Sequence, residues 1–245
     1  MKKSIKIVGA FDRYNYGDLL FPIVIEKYIE TYRPDILRDY KIEFYGLVES
    51  DLAYVGGKTT KALKDIYDCD YEANSIIIVA GGDVIPSRIG NLDIDLSSSN
   101  MNMIFKKILR KILSIKKFEE LSMKKFGINN VFPWIIDREK FKKNIFIAYN
   151  AVGSSTLDTL KDKAEISYIK KSLSKSNYIS TRDSKSLNNI KDLSPKLYPD
   201  SATIMSYFFT LEYLEERIRE EIKNKINKSS NGYICVQSNL FSIRG

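Results

Sequence analysis

Short loops carrying carboxylates, amides and glycines recur along this chain in a fixed order. Asn15-Tyr16-Gly17-Asp18 comes first, Gly81-Gly82-Asp83 second and Tyr149-Asn150-Ala151-Val152-Gly153 third. Thr181-Arg182-Asp183-Ser184 and Pro199-Asp200-Ser201-Ala202 complete the series. A carboxylate accepts hydrogen bonds from two hydroxyls at once, so Asp83 is a candidate for gripping sugar hydroxyls. Arg182 offers a planar fork that matches phosphate or carboxylate. Gly17, Gly81 and Gly82 allow tight turns and let a ligand or a neighbouring loop approach the backbone. Every one of these residues also has a structural alternative. The aspartates can cap helices or turns, and Arg182 can pair with Asp183. The first loop lacks GxGxxG spacing, so no dinucleotide site is predicted.

Some chemistry is excluded outright. The chain contains no histidine. A histidine-based triad, a His metal site and an imidazole proton transfer are therefore impossible within it. Cys69 and Cys235 are far apart and have no metal-ligand spacing. Neither a metal nor a disulfide framework is predicted, and a reducing compartment fits.

The elements that must position these loops are legible as alternating strands and helices. Predicted strands cover Ile5–Ala10, Lys41–Val48, Ile76–Ala80, Asn144–Tyr149 and Tyr178–Ser180. Predicted helices cover Leu19–Tyr32, Lys58–Tyr67, Ala164–Leu173 and Ser184–Ile190. Most of the loop motifs follow a strand. The unbroken aliphatic run Ile76–Ala80 reads as a strand buried on both faces. This alternation predicts an α/β fold, doubly wound, with a mainly parallel Rossmann-like sheet. In such sheets ligands bind outside the carboxyl ends of the strands.

Further on, Leu211–Lys228 is predicted as a helix, broken by Ser229–Gly232. Tyr233–Gln237 then reads as a new first strand. The expected division is a Rossmann-like domain over 1–210, a linker helix over 211–232 and the start of a second domain over 233–245. On this reading the chain is a fragment or a shortened two-domain protein. The alternative is that the last strand joins the one sheet.

Composition is that of a globular protein, 44% hydrophobic and 29% charged. The net charge is +8. Such a balance attracts nucleic acid, anionic lipid or anionic substrates. The joint abundance of Lys, Ile, Asn and Ser reads more simply as codon bias. Residues 101–125 place Ile104, Ile108, Ile112 and Ile115 at helical spacing among Lys106, Lys107, Arg110, Lys111, Lys116 and Lys117. Such a helix either lies on an anionic membrane surface or has one core face and one solvated face. No aromatic stacking pattern accompanies the charges, so nucleic acid is not an expected partner. Lys6 interrupts the first apolar stretch, and no apolar run approaches a membrane span. The expected location is cytoplasmic, with possible peripheral contact at the inner face of the membrane.

Taken together, the ordered motifs resemble the polysaccharide pyruvyl transferase family. The matching pieces are Asn15, Gly17 and Asp18; Gly81-Gly82; Gly153; Arg182-Asp183-Ser184; and Asp200-Ser201-Ala202. The resemblance implies the first half of a two-domain, GT-B-like architecture. It implies transfer of pyruvate from phosphoenolpyruvate to a pair of sugar hydroxyls as a ketal, in bacterial surface polysaccharide synthesis. The donor is then a substrate, the acceptor a sugar or oligosaccharide, and no cofactor is expected. Substrate-binding positions expected here are Asn15, Gly17, Asp18, Gly81, Gly82, Asp83, Asn150, Gly153, Arg182 and Asp183. The family's donor-binding Arg and His residues lie largely in the second domain. The 245-residue chain alone is therefore expected to be inactive, and its catalytic residues are not identified. A nucleotide-sugar glycosyltransferase and a non-enzymatic sugar-binding module are the competing readings.

Overall fold

The computed structural model describes residues 3–68 and 72–229. Cys69, Cys235 and the predicted strand Tyr233–Gln237 lie outside the described residues. The chain divides into two units, Met1–Ile204 and Met205–Gly245.

The first unit is built on eight strands. These are β1 (Lys3–Val8), β2 (Tyr40–Gly46), β3 (Ser50–Asp51), β4 (Thr59–Ala62), β5 (Ser75–Ala80), β6 (Ile145–Val152), β7 (Tyr178–Thr181) and β8 (Lys196–Leu197). Their order across the sheet is β3-β4-β2-β1-β5-β6-β7-β8. Every pairing is parallel except β3 with β4. The doubly wound, mainly parallel α/β fold expected from the alternation of strands and helices is therefore present.

Handedness decides which face each helix covers. Parallel connections are right-handed almost without exception. The steps from β1 to β2 and from β2 to β4 run one way across the sheet, and the steps from β4 through β5, β6, β7 and β8 run the other way. Helices α1 (Tyr16–Tyr32) and α2 (Ile36–Asp39) therefore lie on one face. Helices α3 (Asp65–Asp68), α4 (Ile89–Asp95), α5 (Asn100–Leu113), α6 (Ile115–Phe126), α7 (Lys163–Leu173) and α8 (Ser184–Asn189) belong to the other side. The two cores follow. Ile5, Ile7, Phe21 and Ile29 form the smaller one, with Ile36 and Leu37 packed against it. Val8, Ile77, Val79, Ile147, Ile66, Ile89, Ile169 and Leu173 belong to the larger one, which also buries Trp134.

The asymmetry has a visible cost to burial. Ile77 and Val79 are fully buried, whereas Ile76 and Ile78 are only half-buried. Phe146 of β6 is exposed on that same α1 side. The expectation that residues 76–80 are buried on both faces is thus corrected, because α1 and α2 do not reach across β6, β7 and β8.

Other differences also have physical causes. Residues 58–67, predicted as one helix, form β4 and then the short α3. Thr59 and Thr60 are β-branched, and Thr60 Oγ1 donates to the Val48 carbonyl at 3.1 Å, completing an edge of the sheet. Residues 101–125 form two helices, because Ser114 adopts a φ of +73° and caps α6 through the Lys117 amide. In the second unit, the predicted helix Leu211–Lys228 is split into α9 (Leu211–Glu215) and α10 (Glu220–Asn227). Neither has a buried residue, and helices without packed faces are only marginally stable.

One ion-pair node ties the larger face together. Arg88, just before α4, donates from Nε to Glu119 Oε1 at 2.6 Å and from Nη2 to Glu119 Oε2 at 2.8 Å. Its Nη1 donates to Glu165 Oε2 at 2.7 Å, and its guanidinium lies over the Phe132 ring. Glu119 is buried. Arg88→Ala is expected to strand that carboxylate and cost about 3–5 kcal/mol. Denaturant unfolding followed by Trp134 fluorescence checks this; a loss below 1 kcal/mol would show the node to be dispensable.

Candidate functional site

The strand order reverses at β1, which has β2 on one side and β5 on the other. That reversal opens a crevice at the carboxyl ends of β1 and β5, where open α/β sheets bind ligands. Four of the motif loops meet around it, and each loop contributes something different.

The β1 loop and the first turn of α1 supply Arg13, Asn15, Gly17 and Asp18. Asn15 sits at the helix N-cap with extended backbone, yet its side chain makes no capping bond. Its Nδ2 instead donates to Asp18 Oδ2 at 2.8 Å. Asp18 is therefore held inward over the crevice rather than spent on a cap. The β5 loop supplies Gly81 and Gly82. Gly81 has a φ of +124°, a conformation closed to ordinary side chains. A methyl group on Gly82 would lie 3.5 Å from Asp18 Oδ1 and 3.8 Å from Arg182 Nη1. The bare Gly82 backbone thus lies close to both the Asp18 carboxylate and the Arg182 guanidinium.

Arg182, after β7, donates from Nη1 to Asp200 Oδ2 at 3.2 Å, and its Nε is 3.9 Å from Asp183 Oδ2. Arg13 donates from Nε to Asp12 Oδ1 at 3.0 Å. The Asp12 side chain is fully buried and also accepts from the Val48 amide at 3.0 Å. Arg13 and Asp12 were not among the sequence candidates. Their signal was available, since Arg13 stands two residues before Asn15 in the same loop.

Electrostatics single out Asp18. Burial pushes its carboxyl from 3.8 up to about 6, against the opposing pull of Arg13, the Asn15 amide and Arg182. The nearby Asp12 adds a smaller push upward. A carboxyl group poised near 6 can hold or release a proton close to neutrality.

The remaining motif residues build the walls. Asp83 accepts from Ser155 N and Ser155 Oγ, both at 2.8 Å, and from Thr156 Oγ1 at 3.1 Å. Both its oxygens are engaged, so in this structure the carboxylate braces the loop after β6. Gly153 lies against that turn: its amide donates to the Gly82 carbonyl at 2.8 Å. A methyl group there would come 2.8 Å from Asp83 Cα, inside contact distance. Asp183 caps α8 through the Ser186 amide at 2.7 Å. Asn150 points elsewhere, onto the open sheet face beside α1. There a groove of about 450 Å³ is lined by Ile25, Tyr28, Asn150, Tyr178, Asp200 and Ser201, among others. Ser201 Oγ is buried with no hydrogen-bond partner among the described residues. Asp200 joins the two regions, because it lines the groove and also accepts from Arg182.

The end of β6 is distorted where it meets the site. Its register with β7 shifts between Tyr149 and Val152, and Ala151 adopts a φ of +48°. The Ala151 amide donates to Ser180 Oγ at 2.8 Å. Bulges beside active sites re-aim side chains in this way. Among the described residues, no group of three His, Cys, Asp or Glu side chains is arranged to hold a metal ion. No helix among them is long and apolar enough to cross a membrane.

The sequence profile of the polysaccharide pyruvyl transferases matches residues 15–242. The chain belongs to this family. The match begins at Asn15, the first residue of the crevice motif, and the family's name specifies a polysaccharide acceptor. Among curated proteins and among solved structures, no match to the chain was found.

Two predictions follow from the geometry. Since the Asp18 pKa is raised on folding, the folded state binds that proton more tightly than the unfolded chain. Stability therefore falls as pH rises from 3.8 to about 6 and stays lowered above that. Asp18→Asn should remove the penalty. It should stabilise the protein by about 1–2 kcal/mol above about pH 6 and lose that advantage below about pH 4. Thermal unfolding at the two pH values reads the difference, and an equal or larger effect in acid would contradict the assignment. Gly153→Ala should destabilise by about 1–3 kcal/mol, because the Gly82-Asp83 backbone leaves no room for the methyl; equilibrium unfolding measures it.

Proposed function

We propose that the crevice at the ends of β1, β5 and β7 binds the sugar acceptor of a pyruvyl transfer reaction whose donor is phosphoenolpyruvate. The observation that carries this reading is Asp18, its carboxyl raised to about 6 and set beside Arg13, Asn15, Gly82 and Arg182. Carboxylates and amides that converge on bare backbone suit a polyhydroxyl ligand, whose hydroxyls both donate and accept.

The reaction makes clear demands. The methylene carbon of the donor takes up a proton, leaving an oxocarbenium-like centre. One sugar hydroxyl attacks that centre and gives up its proton. Phosphate departs, and a second hydroxyl closes the ketal. In this reading Asp18 in its carboxylate form accepts the hydroxyl proton, and Asn15 holds the carboxylate in position. Gly82 offers backbone at close range, and Arg182, steadied by Asp200, orients the ligand. The local charge favours a donor held elsewhere: it carries phosphate and carboxylate, while Arg13 and Arg182 already face Asp12, Asp18 and Asp200. Cations for the donor must be supplied from beyond these loops.

Calorimetric titration with an oligosaccharide acceptor and a ketal assay with phosphoenolpyruvate test the two halves separately. The chain is expected to bind the acceptor through this crevice. Asp18→Asn should weaken acceptor binding by about tenfold, as expected for a hydrogen bond to a charged group. Where the complete reaction is reconstituted, its rate should rise with pH through about 6, following Asp18 ionisation. Acceptor binding unchanged by Asp18→Asn would remove the site assignment.

A further inference from the structure

Helix α5 is assembled with its polarity reversed relative to an ordinary surface helix. None of its 14 residues is buried. Met101, Ile104, Phe105, Ile108 and Ile112 follow helical spacing and form one stripe, and all five are exposed, Met101 to 81% and Ile112 to 74%. Ile115, just past the break at Ser114, extends it and is also exposed. The opposite side of the helix holds it to the protein through polar groups. Lys106 Nζ lies 3.0 Å from Asp93 Oδ1, and Arg110 Nη1 donates to Asn91 Oδ1 at 2.7 Å. Surface helices normally turn the apolar side inward and the charges outward.

The charge around the stripe has one sign. Between residues 96 and 118 there are six Lys or Arg residues and no Asp or Glu. Lys111 and Lys116 are exposed at its margin. An isolated apolar stripe of this size on a water-facing helix requires a covering surface. A second copy of the chain is disfavoured, since a two-fold contact sets the same cations against each other. An anionic bilayer satisfies both features, taking the apolar side chains into its interface and the lysines against its headgroups.

We propose that α5 docks this protein onto an anionic lipid surface, inserting the stripe from Met101 to Ile115 into the interfacial region. The docked helix stands next to the candidate site. Asp95, the last residue of α4, lies within electrostatic range of both Arg13 in the β1 loop and Lys107 in α5. Docking therefore brings the β1 side of the crevice to the bilayer. This inference rests on α5 and the first residues of α6 and does not depend on the reaction proposed above.

Co-sedimentation of the full chain with vesicles tests it. Binding is expected to phosphatidylcholine vesicles containing phosphatidylglycerol, to be far weaker on pure phosphatidylcholine, and to decline with added salt. The triple variant Ile104→Ser, Ile108→Ser, Ile112→Ser should bind about tenfold less or weaker. Lys111→Gln with Lys116→Gln should lose about tenfold while keeping the stripe intact. All substituted side chains are exposed, and unchanged Trp134 emission and thermal unfolding would show that the fold survives. No binding to anionic vesicles, or equal binding by the triple variant, would overturn the proposal. So would a triple variant whose only change, by analytical ultracentrifugation, is loss of self-association, which would assign the stripe to a second copy.

Discussion

Right-handed crossover of parallel strands is the constraint on which the rest of this structure depends. The chain begins in the middle of its sheet, at β1, and builds outward in both directions. With the hand of each connection set, the step from β1 to β2 puts α1 and α2 on one face. The return from β4 to β5 and the steps on to β8 put their helices on the other. Two consequences follow from one rule. The loops after β1 and β5 diverge and leave a crevice between them, and the α1 face of β6, β7 and β8 stays open as a groove. Asp18 occupies the first and Asn150 the second, with Asp200 between them.

Within the crevice, the chemistry comes from how the neighbouring loops are braced. Asp83 clamps the loop after β6, Gly153 nests against it, and Asp183 anchors α8. These residues use their polar groups up on structure, and so hold Gly82 and Arg182 in place. Asp18 is the member whose carboxyl is left in tension, lifted by burial and pulled back by two arginines and an amide. A group kept in an unfavourable state of this kind lowers stability, a cost commonly met at functional sites.

Much of this was readable residue by residue, though with uneven success. The aliphatic runs at 76–80 and 145–149 announce strands because such runs have few other uses, and the loops after them follow. Thr59-Thr60 misleads, because four residues of strand cannot be told from a helical turn without the partner strands. Residues 101–125 carry a single helical period, but only the backbone at Ser114 shows the break. The sequence also leaves open whether an aspartate after a strand binds, braces or caps. Asp18, Asp83 and Asp183 look alike on paper. They differ because Ser155 and Ser186 lie within reach of the last two, while Asp18 faces Gly82 and an arginine from a distant loop.

What the sequence determined by itself was the local grammar: strand, loop and helix, the family's ordered motifs, and the exclusion of any imidazole supplied by these 245 residues. Side-chain type and near-neighbour spacing suffice for these, since they depend on backbone preference and on composition. Only the tertiary structure decided which motifs share a crevice, which way the apolar stripe of α5 faces, and where a proton sits near neutrality. Each of these depends on burial and on charges brought together from residues far apart in the chain, and no window of sequence contains them.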